Sequence, residues 1–360
     1  MNKVKRFLIF AITVVIIASN VNFVQATDKQ DESNYFDSVL YAYLAANGIE
    51  VDGITISSAV PVQMLDNSDV ENIYFLKRNH EILAKLAVTS RAGIYYSCFD
   101  MDVKEINDIY QEDLTIALVK KRNTIFALMG STQITLYKNP YESVILSQAD
   151  KSIIKKEKIT FVKELSQTFQ ASNGSEYIKL DASIASSPEV GGLLNVTRVP
   201  NVTIGGAGQC WAASTAAMLN YKNGTSLTAT DIYNKCLNSG FVGTYGTPCG
   251  SIEWVRKVYS LYGVSIVDQT GGIIYARIYS LLSSNKPVQM DYYSSSGTGH
   301  TVVLCGSYYD GNTLVYTFRD PNKSSTVSVT QSLSAATNAS FIKYNDGSTL
   351  YDECTHTYYY

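Results

Sequence analysis

Cys210, His300 and Asp320 are the residues of this 360-residue chain whose types and surroundings best suit covalent chemistry. Cys210 follows Gly205-Gly206-Ala207-Gly208-Gln209 and opens the alanine-rich stretch Cys210-Trp211-Ala212-Ala213-Ser214. Alanine favours helix and Asn223-Gly224 is a stop signal, so the stretch reads as a helix to about Tyr221. A thiol at a helix N-terminus faces unpaired backbone N–H groups and the positive end of the macrodipole, both of which favour the thiolate. The glycines ahead of it leave room for a substrate backbone. Taken alone, an inert buried cysteine that happens to start a helix is an equally good reading.

A nucleophilic thiolate needs a base and a group that orients the base. The chain has three histidines, and His300 follows the flexible stretch Ser294-Ser295-Ser296-Gly297-Thr298-Gly299. It heads the apolar run Val302-Val303-Leu304-Cys305, where strand alternation puts His300, Val302 and Leu304 on one side. After a turn at Asp310-Gly311-Asn312, a second strand runs Thr313 to Phe318 and ends at Arg319-Asp320-Pro321-Asn322. The hairpin returns Asp320 to the level of His300. A carboxylate there would hold the imidazole tautomer and favour imidazolium. Asn322 is the alternative orienter, and a simple turn residue before proline is the plainer reading of Asp320.

With Gln-Cys-Trp-Ala-Ala-Ser at a helix start, Gly-His before an apolar strand and then Arg-Asp-Pro, the chain resembles the papain-like cysteine peptidases. It is most similar to their secreted bacterial branch, which includes the staphopains and the bacteriocin-leader-peptidase-like family. The resemblance covers roughly residues 195–360. It extends to the order Cys, His, Asp, a helix over Gly250 to Tyr262, a strand over Pro287 to Tyr292, and the tyrosine-rich ending. It implies an α+β fold in which a helical part carries the cysteine and an antiparallel sheet carries the histidine and aspartate. It also implies that Cys210 is the nucleophile, His300 the general base and acid, and Asp320 the orienting residue. One departure stands out. The family places an oxyanion-hole glutamine five or six residues before the cysteine, where this chain has Ile204 and Gly205. Either Gln209, directly before Cys210, serves instead, or another donor joins the Cys210 backbone N–H.

These residues need a scaffold, and the rest of the chain divides into three parts. Lys3, Lys5 and Arg6 precede an apolar run from Phe7 to Ala18, too short to span a bilayer comfortably, and Val24-Gln25-Ala26 follows. That pattern predicts a secretory signal peptide over 1–26, and hence a secreted, extracellular protein, bacterial by its composition. Residues 27–190 are glycine-poor and carry net charge −7, whereas residues 191–360 hold most of the 23 glycines and carry net +1. A linker falls somewhere in 171–200, where Ala171-Ser172-Asn173-Gly174-Ser175 and Ser186-Ser187-Pro188 read as loop. The first part opens with a helix over Tyr35 to Ala46. It continues as hairpins, Ile73–Lys77 with Ile82–Val88 and Thr115–Val119 with Thr124–Leu128, with further strands over Gln133–Tyr137 and Ile159–Val162. His80 reads as a solvated turn residue.

Net charge −3 lacks the basic excess of a nucleic-acid binder. No phosphate loop, dinucleotide fingerprint or calcium-loop spacing occurs. Cys354-Thr355-His356 lacks the second pair a metal site needs, so no metal or organic cofactor is expected. Cys236 and Cys249 flank a glycine-rich stretch that a disulfide would close, while Cys98 and Cys305 read as buried. The expected protein is a secreted, monomeric cysteine endopeptidase acting on protein or peptide substrates, made as a zymogen. Its 27–190 region is either a prosegment acting as an intramolecular inhibitor or an accessory domain. No nucleic-acid partner is expected, and no membrane contact after signal cleavage. The competing readings are an acyltransferase or deamidase using the same triad, and a catalytically weak secreted binding protein. The 27 tyrosines would suit the binding protein's surface.

Overall fold

The computed structural model describes residues 32–66, 69–91, 94–112, 114–138, 143–165, 192–196, 199–206, 208–240, 252–309, 313–331 and 343–360. Residues 1–26, where a signal peptide is expected, most of the expected 171–200 linker, Cys249 and the expected turn Asp310-Gly311-Asn312 lie outside the described residues.

Helix α1 (Glu32–Ala46) ends at Asn47-Gly48, where Gly48 takes the left-handed φ of 65° that favours glycine. Strands β1 (Ile54–Ser57), β2 (Val60–Met64), β3 (Val70–Arg78), β4 (Glu81–Arg91) and β5 (Ile94–Asp100) follow. Turn residue Asn79 between β3 and β4 also has positive φ, which asparagine tolerates well. After the short α2 (Lys104–Asn107) come β6 (Thr115–Lys121), β7 (Thr124–Met129) and β8 (Thr132–Tyr137). The short α3 (Gln148–Ser152), β9 (Glu157–Lys158) and β10 (Phe161–Glu164) complete the first half.

The second half begins with β11 (Gly192–Asn195) and three helices, α4 (Cys210–Asn223), α5 (Ala229–Asn238) and α6 (Ile252–Leu261). Strand β12 (Val267–Thr270) and α7 (Tyr275–Ser283) lead into the main sheet. That sheet is built from β13 (Val288–Tyr293), β14 (Gly299–Tyr309), β15 (Leu314–Arg319) and β16 (Thr326–Gln331). The small hairpin β17 (Tyr344–Asn345) and β18 (Leu350–Tyr351) precedes the last strand, β19 (Glu353–Tyr359).

Antiparallel pairing runs β12–β19–β13–β14–β15–β16 across the second half. It then crosses into the first half, because β16 pairs with β5 through Val327↔Asp100, Ser328↔Phe99 and Val329↔Cys98. From β5 the sheet continues through β4 and β3. The one parallel pair among the described strands is β2 with β6. Helix α1 reinforces the seam: the Thr330 N–H donates to the Tyr43 hydroxyl at 2.9 Å, and the Asn47 side chain donates to Ser328 Oγ at 3.0 Å. One buried apolar cluster includes Phe75, Cys98, Ile116 and Tyr137 from the first half with Trp211, Leu304 and Tyr358 from the second. The two compositional halves therefore share a sheet and a core.

Candidate active site

Alanine-rich α4 is buried from Cys210 through Asn220, so every face packs against protein. Small side chains permit that close approach without the overpacking larger ones would cause. Three of its side chains fix its first turns. Ser214 donates its hydroxyl to the carbonyl of Thr301, the residue after His300, at 3.0 Å. Thr215 and Tyr259 both donate to Oε1 of Gln289, a buried residue of β13. Trp211 meets Trp254 of α6 edge to face at 5.9 Å. The helix bearing Cys210 is thus bonded to the strand bearing His300 one turn from the thiol. Gly224, with φ 66°, ends it, as expected from Asn223-Gly224.

His300 is the second residue of β14 and pairs with Tyr292 of β13. Asp320 follows the last residue of β15, whose Arg319 pairs with Val303. The hairpin brings the two side chains together, with His300 Nε2 2.9 Å from Asp320 Oδ1. The ring's Nδ1 makes no hydrogen bond among the described residues, and the Cys210 thiol lies close enough to favour the ring's charge. Cys210, His300 and Asp320 are 7%, 2% and 0% exposed. Burial alone would push the imidazole pKa down, but the Asp320 carboxylate outweighs it and holds the value well above the usual histidine range. Burial likewise opposes the Asp320 charge. His300, then Lys323 and the Tyr344 hydroxyl, nevertheless bring its carboxyl down to about 2.

The carboxylate has two further donors. Tyr344 donates its hydroxyl to Oδ2 at 2.5 Å, and the Asn322 N–H donates to Oδ1 at 2.8 Å. Asn322 therefore contacts Asp320 through its backbone, and its side-chain amide makes no hydrogen bond among the described residues. Tyr344 and Tyr351, from the β17–β18 hairpin, place their rings 6.0 and 5.3 Å from the imidazole. Sequence reasoning did not find these two tyrosines. The high tyrosine count was the one signal available, and it pointed to the surface rather than to a buried histidine.

Gln209 is the residue before α4, and its side chain makes no capping hydrogen bond. Its amide lies over the glycine loop: a Cβ on Gly205 would fall 2.9 Å from Oε1, and one on Gly206 would fall 3.6 Å from Nε2. Oε1 is buried with no hydrogen-bond partner among the described residues. A cavity of about 630 Å³ opens beside this loop, lined by Gly205, Gly206 and Asn322 and, from the first half, Asp102, Lys104 and Lys138.

The other described cysteines stand apart from this cluster. Cys98, Cys236, Cys305 and Cys354 are buried free thiols. Burial raises all of them, Cys236 and Cys354 to about 12 and Cys305 to about 11. His356 turns its Nδ1 to Asp268 at 2.9 Å, and Asp268 also takes Arg256 Nε at 2.8 Å. Among the described residues no group of three or more His, Cys, Asp and Glu is placed to hold a metal ion. His80 is solvent-exposed in the β3–β4 turn, with Glu112 as its neighbour at 3.2 Å.

No curated protein matches the chain. Residues 194–338, which carry Cys210, His300 and Asp320, match the family described as Papain-like cysteine protease AvrRpt2, and this supports a papain-like cysteine peptidase at the level of the family.

Proposed function

We propose that the protein is a secreted cysteine endopeptidase in which Cys210, His300 and Asp320 form the catalytic triad. The observation that carries this reading is the meeting of the three side chains. A thiol at the first residue of α4 reaches an imidazole whose far nitrogen is 2.9 Å from a buried carboxylate.

Asp320 favours imidazolium on His300, and imidazolium in turn favours thiolate on Cys210. The thiolate attacks the peptide carbonyl carbon. The carbonyl oxygen takes up negative charge opposite the unpaired N–H groups at the start of α4, with the Gln209 amide beside them. Collapse of this adduct breaks the C–N bond as His300 protonates the leaving amine, and a thioester forms on Cys210. Water, giving its proton to His300, hydrolyses the thioester and regenerates the thiolate. Every proton in this cycle is held on Cys210, His300, the substrate or water, so the chemistry calls for no metal or organic cofactor.

Lys3, Lys5, Arg6 and the Phe7–Ala18 run support secretion, with cleavage after Ala26. The low exposure of Cys210 and His300 suits a latent form that opens when the chain is cut in the 171–200 linker. Substrates are proteins or peptides, and the enzyme acts as a monomer. The Cys210→Ala variant should lose casein hydrolysis and its block by a thiol-alkylating epoxide. Full activity in that variant would end this reading, and ammonia release without peptide cleavage by the parent protein would point to deamidation instead.

A further inference from the structure

Past the β5–β16 seam, side chains of the first half reach the loop that carries Asp320. Asp100, the last residue of β5, is fully buried. Its Oδ2 stands 3.2 Å from Lys85 Nζ and 3.6 Å from Lys323 Nζ, and its Oδ1 accepts from Ser325 Oγ at 3.0 Å. Asp102 accepts from the Ser324 N–H at 3.4 Å. Residues 323, 324 and 325 are therefore each held by the first half, within five positions of Asp320. On the opposite side the second half holds the same loop. Ile204 N–H donates to the Pro321 carbonyl at 3.2 Å, and Asn201 donates to the Lys323 carbonyl at 2.7 Å.

Tyr137, the last residue of β8, completes the junction. Lys323 Nζ lies 4.1 Å and Lys85 Nζ 4.8 Å from its ring centroid. Two buried cations thus share one carboxylate and one aromatic ring, whose electron-rich face attracts the charge that Asp100 leaves unbalanced. The ring also rests on Gly347, where a Cβ would fall 2.1 Å from a ring carbon. Gly347 belongs to the turn between β17 and β18, the hairpin whose Tyr344 holds Asp320 and whose Tyr351 lies against His300. Taking the first half away would strip Lys323 of Asp100 and Tyr137 together and leave it only the carboxylates of its own half, Asp346 and Asp320.

We propose that the first half is a permanent part of the active site, and that Asp100 and Tyr137 are positioning residues that seat the Asp320 loop and the Tyr344–Tyr351 hairpin on His300. This rests on the cysteine peptidase reading. It makes cleavage in the 171–200 linker a nick that yields a two-chain enzyme, with the first half retained.

Two measurements on the full chain test it. In the first, a site for a specific protease is placed within 171–191, the chain is cut, and the products are passed over a sizing column. The halves should co-elute with peptidase activity. In the second, Tyr137→Leu and Tyr137→Phe are compared with the parent for kcat, KM and the pH dependence of Cys210 alkylation, each first shown to be folded by circular dichroism. The Tyr137 hydroxyl makes no hydrogen bond among the described residues, so Tyr137→Phe should match the parent. Tyr137→Leu should lower kcat by about ten- to a hundredfold through misplacement of the triad, with KM changed by less than about twofold. Its alkaline limb of alkylation should move to lower pH as Asp320 loosens from His300. Separation of an active second half from the cut chain would overturn the proposal, and so would parental kcat and an unshifted profile in a folded Tyr137→Leu. If Tyr137→Leu does not fold, the cut chain decides alone. If the uncut and cut parent protein neither cleaves casein nor alkylates at low pH, the peptidase reading fails, while co-elution still reports on the junction.

Discussion

Tyr344 donates its hydroxyl to one oxygen of Asp320 at 2.5 Å while His300 takes the other at 2.9 Å. Both carboxylate oxygens are therefore engaged, which removes the freedom to rotate that a singly bonded carboxylate would keep. Hydrogen bonds to a buried charge contribute about 1.5–3 kcal/mol. Tyr344→Phe keeps the ring stacked on Tyr351 but deletes that donor. It should lower unfolding free energy by about 2 kcal/mol, read by denaturant titration, and cut kcat about tenfold with KM little changed. Unchanged stability would show that the bond to Asp320 is not holding the carboxylate.

The pH behaviour of the pair follows from its two shifts. His300 is raised above the usual histidine value. Its contribution to stability is present in full below about 6.5 and is lost as pH rises through the raised folded value. Asp320 is depressed to about 2. Its contribution is present above about 3.9 and is lost as pH falls towards 2. Between those limits the ion pair is intact. Asp320→Asn removes the charge that holds the imidazolium, so the alkaline limb of kcat/KM should move to lower pH and kcat should fall by about a hundredfold or more. An alkaline limb that stays in place in Asp320→Asn would assign it to another group.

The glycine loop before Cys210 offers a separate test of the oxyanion donor. Gln209→Ala removes an amide with no capping role, so the melting temperature should hold while kcat falls by about a hundred- to a thousandfold. Gly205→Ala should act on the same amide indirectly, because its Cβ would stand 2.5 Å from Thr230 Oγ1 and 2.9 Å from Gln209 Oε1. Parental kcat in Gln209→Ala would leave the oxyanion to the α4 N–H groups and a different donor.

Asp291 is a buried carboxyl on β13 with no cation bonded to it among the described residues, accepting from Thr301 and Tyr358. Burial pushes it up to about 6. An acid whose folded value is raised binds its proton more tightly in the native state. Stability therefore falls as pH climbs from about 4 to 6 and is flat with respect to this group above that. Asp291→Asn keeps the shape without the charge and should stabilise the protein at pH 7 by about 1–3 kcal/mol, and not at pH 4. Thermal melts at the two pH values check it, and equal effects at both would assign the change to packing rather than ionisation.

The parts of the fold that were legible were set by local chemistry. Asn47-Gly48 and Asn223-Gly224 end helices where expected, with Gly48 and Gly224 at positive φ. The expected hairpins Ile73–Lys77 with Ile82–Val88 and Thr115–Val119 with Thr124–Leu128 lie within β3–β4 and β6–β7. The hairpin after His300 brings Asp320 to it because Arg319, the last residue of β15, pairs with Val303, three residues past His300, a register that can be counted from the turn. Contacts between distant segments were not legible. Nothing local marks Cys98-Phe99-Asp100 as the partner of Val327-Ser328-Val329, so the composition break suggested two units where the sheet and core are continuous. Tyr344 and Tyr351 were hidden for the same reason: they reach His300 through a hairpin whose turn lies against Tyr137, about two hundred residues earlier.

The six cysteines provide the most direct measurement. The folded protein, cut within 171–191, is treated with iodoacetamide at about pH 5.5, quenched and digested, and each cysteine's labelling is quantified by mass spectrometry. Burial pushes Cys98, Cys236, Cys305 and Cys354 upward, so they should stay unlabelled. A thiolate paired with His300 reacts well below the ordinary thiol pKa of about 8.5. Cys210 should therefore be alkylated rapidly, and peptidase activity should disappear in step with its labelling. A Cys210 that reacts at pH 5.5 no faster than in the unfolded chain would contradict the triad.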